Sequence, residues 1–167
     1  MNPQRPRPIG ASDDTSDFDC GEPSLNAYLA ERALTNHLAD LARCYVCIDR
    51  DTSTVLGYYT LSAVAVERSN LSARVRRNAP SPVPAVLLGR LAIATHAQGR
   101  GLGRLLVRDA VLSTLAAAHR IGVRILLVHA LHEAAAHFYE TLGFRRSPTD
   151  PLHLYLLLAD ARESLGG

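Results

Sequence analysis

Residues 88–112, LGRLAIATHAQGRGLGRLLVRDAVL, decide the fold. An apolar run leads into three glycines within five positions, Gly99, Gly101 and Gly103, and then directly into a second apolar run. Ala85 to Ala94 is apolar except for Gly89 and Arg90, which reads as a strand, while Leu102 to His119 reads as a largely buried helix. A glycine-rich turn between a strand and a helix leaves backbone N–H groups exposed at the helix N-terminus. The helix dipole there favours a phosphate, and Arg100 and Arg104 add formal charge. Two familiar nucleotide patterns fail. A Walker A loop needs Lys followed by Ser or Thr after its last glycine, and neither is present. The Rossmann spacing G-x-G-x-x-G is one residue too long for this loop, and no acidic residue stands about 20 positions further on. What remains is Q-x-x-G-x-[GA], from Gln98 to Gly103. Taken alone, such a turn also serves simply to join a strand to a helix.

The rest of the chain organises around this stretch. The first ~17 residues are Pro-, Arg- and Asp-rich and read as loose chain or a short edge strand. Residues 18–41 read as one helix with Pro23 in its first turn. Arg43–Ile48 and Val55–Val66 form a hairpin around the polar turn DRDTST, with Gly57 inside the second strand. Residues 67–84 are an Arg- and Pro-rich break that has room for a short helix. Arg124–His129 is a continuous apolar strand, as expected when both faces are covered. His132–Leu142 is an amphipathic helix stopped at Gly143, and HLYLLLAD (153–160) is a last strand. The order is α/β with a mixed sheet, in one domain spanning 1–167.

Bulk properties narrow the function classes. The 167 residues suit one core, and 47% hydrophobic with 20% charged residues is ordinary for a globular domain. A net charge of +2 excludes a uniformly basic surface and leaves room for local arginine patches. No apolar run approaches the ~20 residues of a membrane helix, and Met1–Gly10 does not read as a signal peptide, so the expected compartment is the cytoplasm. Three cysteines fit a reducing compartment. Cys44 and Cys47 form C-x-x-C, but in a strand positions i and i+3 face opposite ways and no second ligand pair follows, so no metal is expected.

LGRLAIATHAQGRGLGRLLVRDAVL resembles motif A of the GCN5-related N-acetyltransferases (GNAT), and HALHEAAAHFYETLGF (129–144) resembles their motif B. The resemblance implies a GNAT fold. That is a mixed, mostly antiparallel central sheet, splayed at the acetyl-CoA site and flanked by helices. It implies acetyl-CoA as co-substrate, its pantetheine arm paired with the backbone of Leu91, Ala92 and Ile93. Its pyrophosphate would lie on Gln98, Gly99, Arg100, Gly101, Leu102 and Gly103, with Arg104 opening the helix. His132 stands where many members carry a pantetheine-binding Asn. Tyr139 takes the place of the general acid that protonates the leaving thiolate. A phenol of pKa ~10 facing a thiol of pKa ~8.5 suits that role, whereas aromatics at helical spacing otherwise serve packing.

The acceptor is read from outside those motifs. No carboxylate lies in Ala85–Ala94 to act as base, and Glu67 reads as a solvated surface charge. This suits an amine that is already neutral near pH 8, such as the α-amine of an aminoacyl ester. FDCGEPSLNAYL, VLGYYTLSAVAVE and PVPAVLLGRLAI resemble the acetyltransferase toxins of bacterial toxin–antitoxin modules. That resemblance implies acetylation of aminoacyl-tRNA, arrest of translation, a small ribbon-helix-helix antitoxin that binds DNA, and a homodimer. Arg74, Arg76, Arg77, Arg90, Arg145 and Arg146 are the candidate tRNA-phosphate contacts. For Arg90, an ion pair with an acidic residue is the competing role, because an unpaired buried charge is too costly. Two other functions stay open: a GNAT enzyme for a small amine or a protein N-terminus, and a coenzyme A-binding protein without catalysis.

Overall fold

The computed structural model describes residues 1–166. In chain order the elements are β1 (Arg7–Pro8), α1 (Pro23–Glu31), α2 (Ala33–Leu38), β2 (Arg43–Ile48), β3 (Val55–Val66), α3 (Ala73–Arg76), β4 (Val83–Ile93), α4 (Leu102–Ala118), β5 (Ile125–His129), α5 (Glu133–Thr141), β6 (Arg145–Arg146), β7 (His153–Leu157) and α6 (Leu158–Gly166). The strands hydrogen-bond in the order β1-β2-β3-β4-β5-β7-β6. β4 and β5 are parallel, while β1–β2, β2–β3, β5–β7 and β6–β7 are antiparallel, so the sheet is mixed and mostly antiparallel as expected. The β4–β5 ladder runs from Ala85↔Ile125 to Leu88↔Val128 and stops, while β4 continues to Ile93. Contacts divide the chain into two compact units. One holds Met1–Ser62 and Gly89–Ala110, the other Ala63–Leu88 and the chain from Val111 onward.

In the first unit, β2 and β3 pair from Arg43↔Leu61 to Ile48↔Val55 with one irregularity after Cys47, and the short β1 edges β2. Gly57 is dictated by crowding: a Cβ there would lie 2.8 Å from the Ala92 carbonyl and 2.9 Å from Ile93 Cδ1. Cys44 and Cys47 are both buried, and burial pushes their thiols up to about 12 and about 11, so neither is a ready thiolate. The helix read over residues 18–41 is in fact two helices. Pro23 opens α1, and the chain breaks at Arg32 (φ −126°) before α2. Residues 18–22 are not helical. The Asp19 carboxylate accepts from Gly21 N–H and Asn26 Nδ2, and Asn26 Oδ1 accepts from Cys20 N–H, so local polar bonds outcompete the helix. Leu25, Tyr28, Leu29 and Ala33 are buried at the expected helical spacing.

In the second unit, Ile125–Val128 are all buried, as a doubly covered strand requires. Ile125 and Leu127, on one face of the strand, pack in a core with Leu71, Val75, Val83 and Tyr155. The Arg- and Pro-rich break contains the short helix α3, and β4 starts at Val83, two residues earlier than read from sequence. Two elements differ from expectation. The last strand ends at Leu157, and Leu158–Gly166 turns into α6, whose Leu158 and Ala161 are buried one turn apart. Arg145–Arg146 form the two-residue strand β6 against β7. Most of the few aromatic residues lie in the cores, among them Tyr58, Tyr59, Tyr139, Phe144 and Tyr155.

Candidate active site

The glycine loop lies in the first unit. A 3-10 turn, Thr95–Ala97, leads from β4 into it, and α4 begins at Leu102. Gly99 (φ +77°) and Gly101 (φ +83°) occupy the left-handed region that favours glycine, and a Cβ on either would meet no atom within 4 Å. The loop is therefore held open by backbone conformation, not by crowding. Gln98 braces it: Nε2 donates to the carbonyls of Ile93 (2.9 Å) and Cys20 (3.1 Å). Leu102 is buried, while Arg100 and Arg104 are exposed. The first N–H groups of α4 have no partner inside the helix and stand at the end of this loop. Ala92 is buried and Leu91 and Ile93 are half-buried, all beyond the point where the β4–β5 ladder stops.

Arg90, also in this unit, is exposed. Its guanidinium carbon lies 3.7 Å over the ring centroid of Tyr28, and among the described residues no carboxylate pairs with it. The apolar strand thus puts its one charge in solvent on an aromatic face.

Tyr139 and His132 lie in the second unit. The Tyr139 ring is 6% exposed and is flanked edge-to-face by Phe138 (5.2 Å) and Phe144 (5.5 Å). Burial pushes its phenol well above the usual value. Among the described residues its hydroxyl has no hydrogen-bond partner, yet it is not a sealed polar atom, so the oxygen reaches solvent. His132 is the N-cap of α5, and its Nδ1 accepts from Ala135 N–H at 3.1 Å. The neutral ring therefore carries its proton on Nε2, which remains an available donor.

Three of the candidate arginines line one cavity of about 820 Å³ in this unit, Arg74, Arg145 and Arg146, together with Glu140, Phe144 and Tyr155. Two of them are already engaged. Arg74 forms a bidentate pair with Asp160, both contacts 2.6 Å. Arg146 is held by Glu133 (2.6 and 2.9 Å) and Glu140 (2.8 Å), which raise its pKa. Arg145, Arg76 and Arg77 are exposed. Glu67 is exposed as well, as read from sequence. Among the described residues no group of three His, Cys, Asp or Glu side chains could hold a metal ion. Sequence reasoning missed Tyr28 as the support of Arg90. It saw only a core position at helical spacing, and the signal it lacked was that Tyr28 and Arg90 lie 62 positions apart.

The acetyltransferase (GNAT) domain family matches residues 40–146. The tRNA-acetylating toxin of Mycobacterium tuberculosis (strain ATCC 25618 / H37Rv) is 50% identical over 162 residues, which span 96% of each chain. A solved structure of AtaT complexed with acetyl-methionyl-tRNAfMet superposes with TM-score 0.90 at 32% identity, covering 99% of this chain and 100% of the other. A Tyr-to-Phe mutant of the AtaT toxin, bound to the C-terminus of the antitoxin AtaR and to acetyl-CoA, superposes with TM-score 0.84 at 30% identity and covers 100% of both.

Proposed function

The chain belongs to the GNAT acetyltransferases, and from that premise we propose that it moves an acetyl group from acetyl-CoA to the α-amine of aminoacyl-tRNA, acting as a toxin that blocks translation. The observation that carries this reading is the 50% identity to a tRNA-acetylating toxin over 96% of both chains. The AtaT complexes hold acetyl-methionyl-tRNAfMet in one case and acetyl-CoA in the other, an acetylated aminoacyl-tRNA and the acetyl donor.

The residues present fit the donor. The open cradle at Gly99 and Gly101, the free amides of the first α4 turn, and Arg100 and Arg104 suit a pyrophosphate. Gln98 ties this cradle down through the carbonyls of Ile93 and Cys20, buried Leu102 opens α4 behind it, and Gly103 follows as the second residue of that helix. Leu91, Ala92 and Ile93 offer strand backbone to the pantetheine arm, and His132 offers Nε2–H.

Acetyl-CoA supplies an activated thioester, whose transfer to an amine releases a thiolate. The N–C bond forms, the C–S bond breaks, the amine loses a proton to water, and the sulfur takes one. Tyr139 holds the proton that goes to the sulfur, and its phenolate regains one from water, which balances the proton lost by the amine. Its buried ring keeps the phenol neutral at physiological pH, and the oxygen at its tip is open. β4 carries no carboxylate to act as a base, which suits an acceptor that arrives neutral, as an aminoacyl ester does near pH 8. The inferred partners are a ribbon-helix-helix, DNA-binding antitoxin and a second copy of the chain, with the reaction run in the cytoplasm, where charged tRNA is found.

The test supplies the protein with acetyl-CoA and a pool of charged tRNA, releases the amino acids with alkali, and identifies them by mass spectrometry. N-acetylated amino acids are expected. Transfer only to small amines or protein N-termini would replace this reading with a general GNAT activity. Coenzyme A binding with no transfer would remove catalysis altogether. For Tyr139→Phe, turnover is expected to fall by about a hundredfold or more, while calorimetry finds acetyl-CoA affinity within about twofold. Unchanged turnover would dismiss Tyr139 as the acid. Because its pKa is raised, the wild-type rate should climb as the amine deprotonates and stay level to about pH 10, with no descending limb.

A further inference from the structure

We propose that Tyr28 is a positioning residue that holds the Arg90 guanidinium ready for a phosphodiester of the acceptor tRNA. This rests on the aminoacyl-tRNA reading and names the group recognised at that site.

Four arginines are taken up by carboxylates, Arg7 with Asp13, Arg43 with Asp40, Arg74 with Asp160, and Arg146 with Glu133 and Glu140, whereas Arg90 shares the lack of such a partner among the described residues with Arg76 and Arg77 and differs from them in its aromatic seat. Arg90 has no carboxylate among the described residues, and its N–H donors have no protein acceptor there. A free exposed arginine would wander among rotamers, and fixing it on binding costs about 2 kcal/mol of side-chain entropy. Here that freedom is already limited, because one face of the guanidinium lies 3.7 Å over the Tyr28 ring.

Tyr28 cannot follow the arginine if it moves. Its ring is 5% exposed and lies nearly parallel to Tyr58, at 14° and 6.4 Å. Its hydroxyl accepts from Asn36 Nδ2 at 3.3 Å. Tyr58 is pinned in turn, since its hydroxyl donates to the Leu25 carbonyl at 2.7 Å and Phe18 packs edge-on against it. The result is a rigid aromatic stack that presents one uncompensated cation with its hydrogen-bonding edge unused.

The chemistry such an edge recognises is a planar or tetrahedral oxyanion, which the guanidinium fork can grip with two N–H groups. The esterified amino acid has lost its α-carboxylate, so the anions common to every charged acceptor are the phosphates of its tRNA. Arg90 is one residue before Leu91, at about 3.3 Å of strand rise from the backbone assigned to the pantetheine arm. The phosphodiester in question is therefore one near the 3′ end that bears the amino acid.

The test compares two acceptors, aminoacyl-tRNA and an aminoacyl-adenosine that has the same reacting ester and no phosphate. In Arg90→Ala the preference for aminoacyl-tRNA, as a ratio of kcat/KM values, is expected to fall about tenfold or more, since charge-assisted hydrogen bonds are lost. The loss should appear in KM for tRNA and not in KM for acetyl-CoA. Tyr28→Phe keeps the ring and should keep the preference. Tyr28→Leu should lose it, and adding Tyr28→Leu to Arg90→Ala should cost no further preference. Arg90→Lys keeps the charge without the planar stack and should resemble Arg90→Ala, which preserves the test if Tyr28→Leu fails to fold. An equal loss on both acceptors in Arg90→Ala, a wild-type preference in Arg90→Lys, or a Tyr28→Phe loss as large as that of Arg90→Ala would overturn the proposal. If the wild type acetylates aminoacyl-adenosine but no charged tRNA, the functional reading fails first and this inference with it.

Discussion

The glycine loop and the arginines at 74, 145 and 146 were both read from sequence as phosphate contacts, and the structure builds the loop and the cavity those arginines line in opposite ways. The loop is backbone. Gly99 and Gly101 sit at positive φ with open space where side chains would be, and Gln98 ties the turn down through two carbonyls. The cavity is side chain, and two of its three arginines are spent on Asp160, Glu133 and Glu140. A cluster of arginines in sequence therefore does not measure available charge. A cation counts toward a ligand only after its carboxylate partners have been found; that count discharges Arg74 and Arg146 and leaves Arg90, Arg76 and Arg77, of which Arg90 is the one seated on an aromatic ring.

The largest effect that sharpens this contrast belongs to the loop. Gly101→Val forces a β-branched residue into left-handed backbone, at a cost of about 1–2 kcal/mol before any contact with the ligand. The new side chain also fills the cradle. KM for acetyl-CoA is expected to rise by roughly ten- to a hundredfold in steady-state assays. A normal KM would mean that the loop does not hold the donor. Next comes the Arg76/Arg77 double change to Ala, at two exposed arginines. The salt dependence of tRNA binding should lose about 2 from its log–log slope, and affinity should weaken for all charged tRNAs alike. An unchanged slope would remove both from the interface. The smallest effects belong to the paired arginines. Arg74→Ala and Arg146→Ala should each leave KM for charged tRNA within about twofold, with only a slight fall in Tm, because exposed ion pairs contribute little. If either matches Arg90→Ala in tRNA KM, the contrast between paired and unpaired arginines collapses.

Much of the fold was legible because its signals are local. The limits of β2 and β3 follow from alternation and a polar turn, and the start of α4 from the glycines before it. The break at Arg32 was not legible, since helical apolar spacing runs through it, and the non-helical start at residues 18–22 was masked by a composition that the bonds of Asp19 and Asn26 override. LLAD continued an apolar strand by composition, yet the chain turns at Leu158 and buries Leu158 and Ala161 at helical spacing. The candidate site divides along the same line. Glycine conformation and the position of Tyr139 in its helix are written within a few residues. The pairing of Arg74 with Asp160 spans 86 positions, and that of Arg90 with Tyr28 spans 62, so only the folded chain reveals them.

The two regions divide the labour: the loop is expected to bind the acetyl donor, and arginines outside it to bind the acceptor. The measurement that tests it most directly is a two-substrate kinetic matrix, with acetyl-CoA and aminoacyl-tRNA both varied, for Gly101→Val and Arg90→Ala beside the wild type. Gly101→Val is expected to raise KM for acetyl-CoA alone, and Arg90→Ala to raise KM for aminoacyl-tRNA alone. The claim is contradicted if both variants move the same constant.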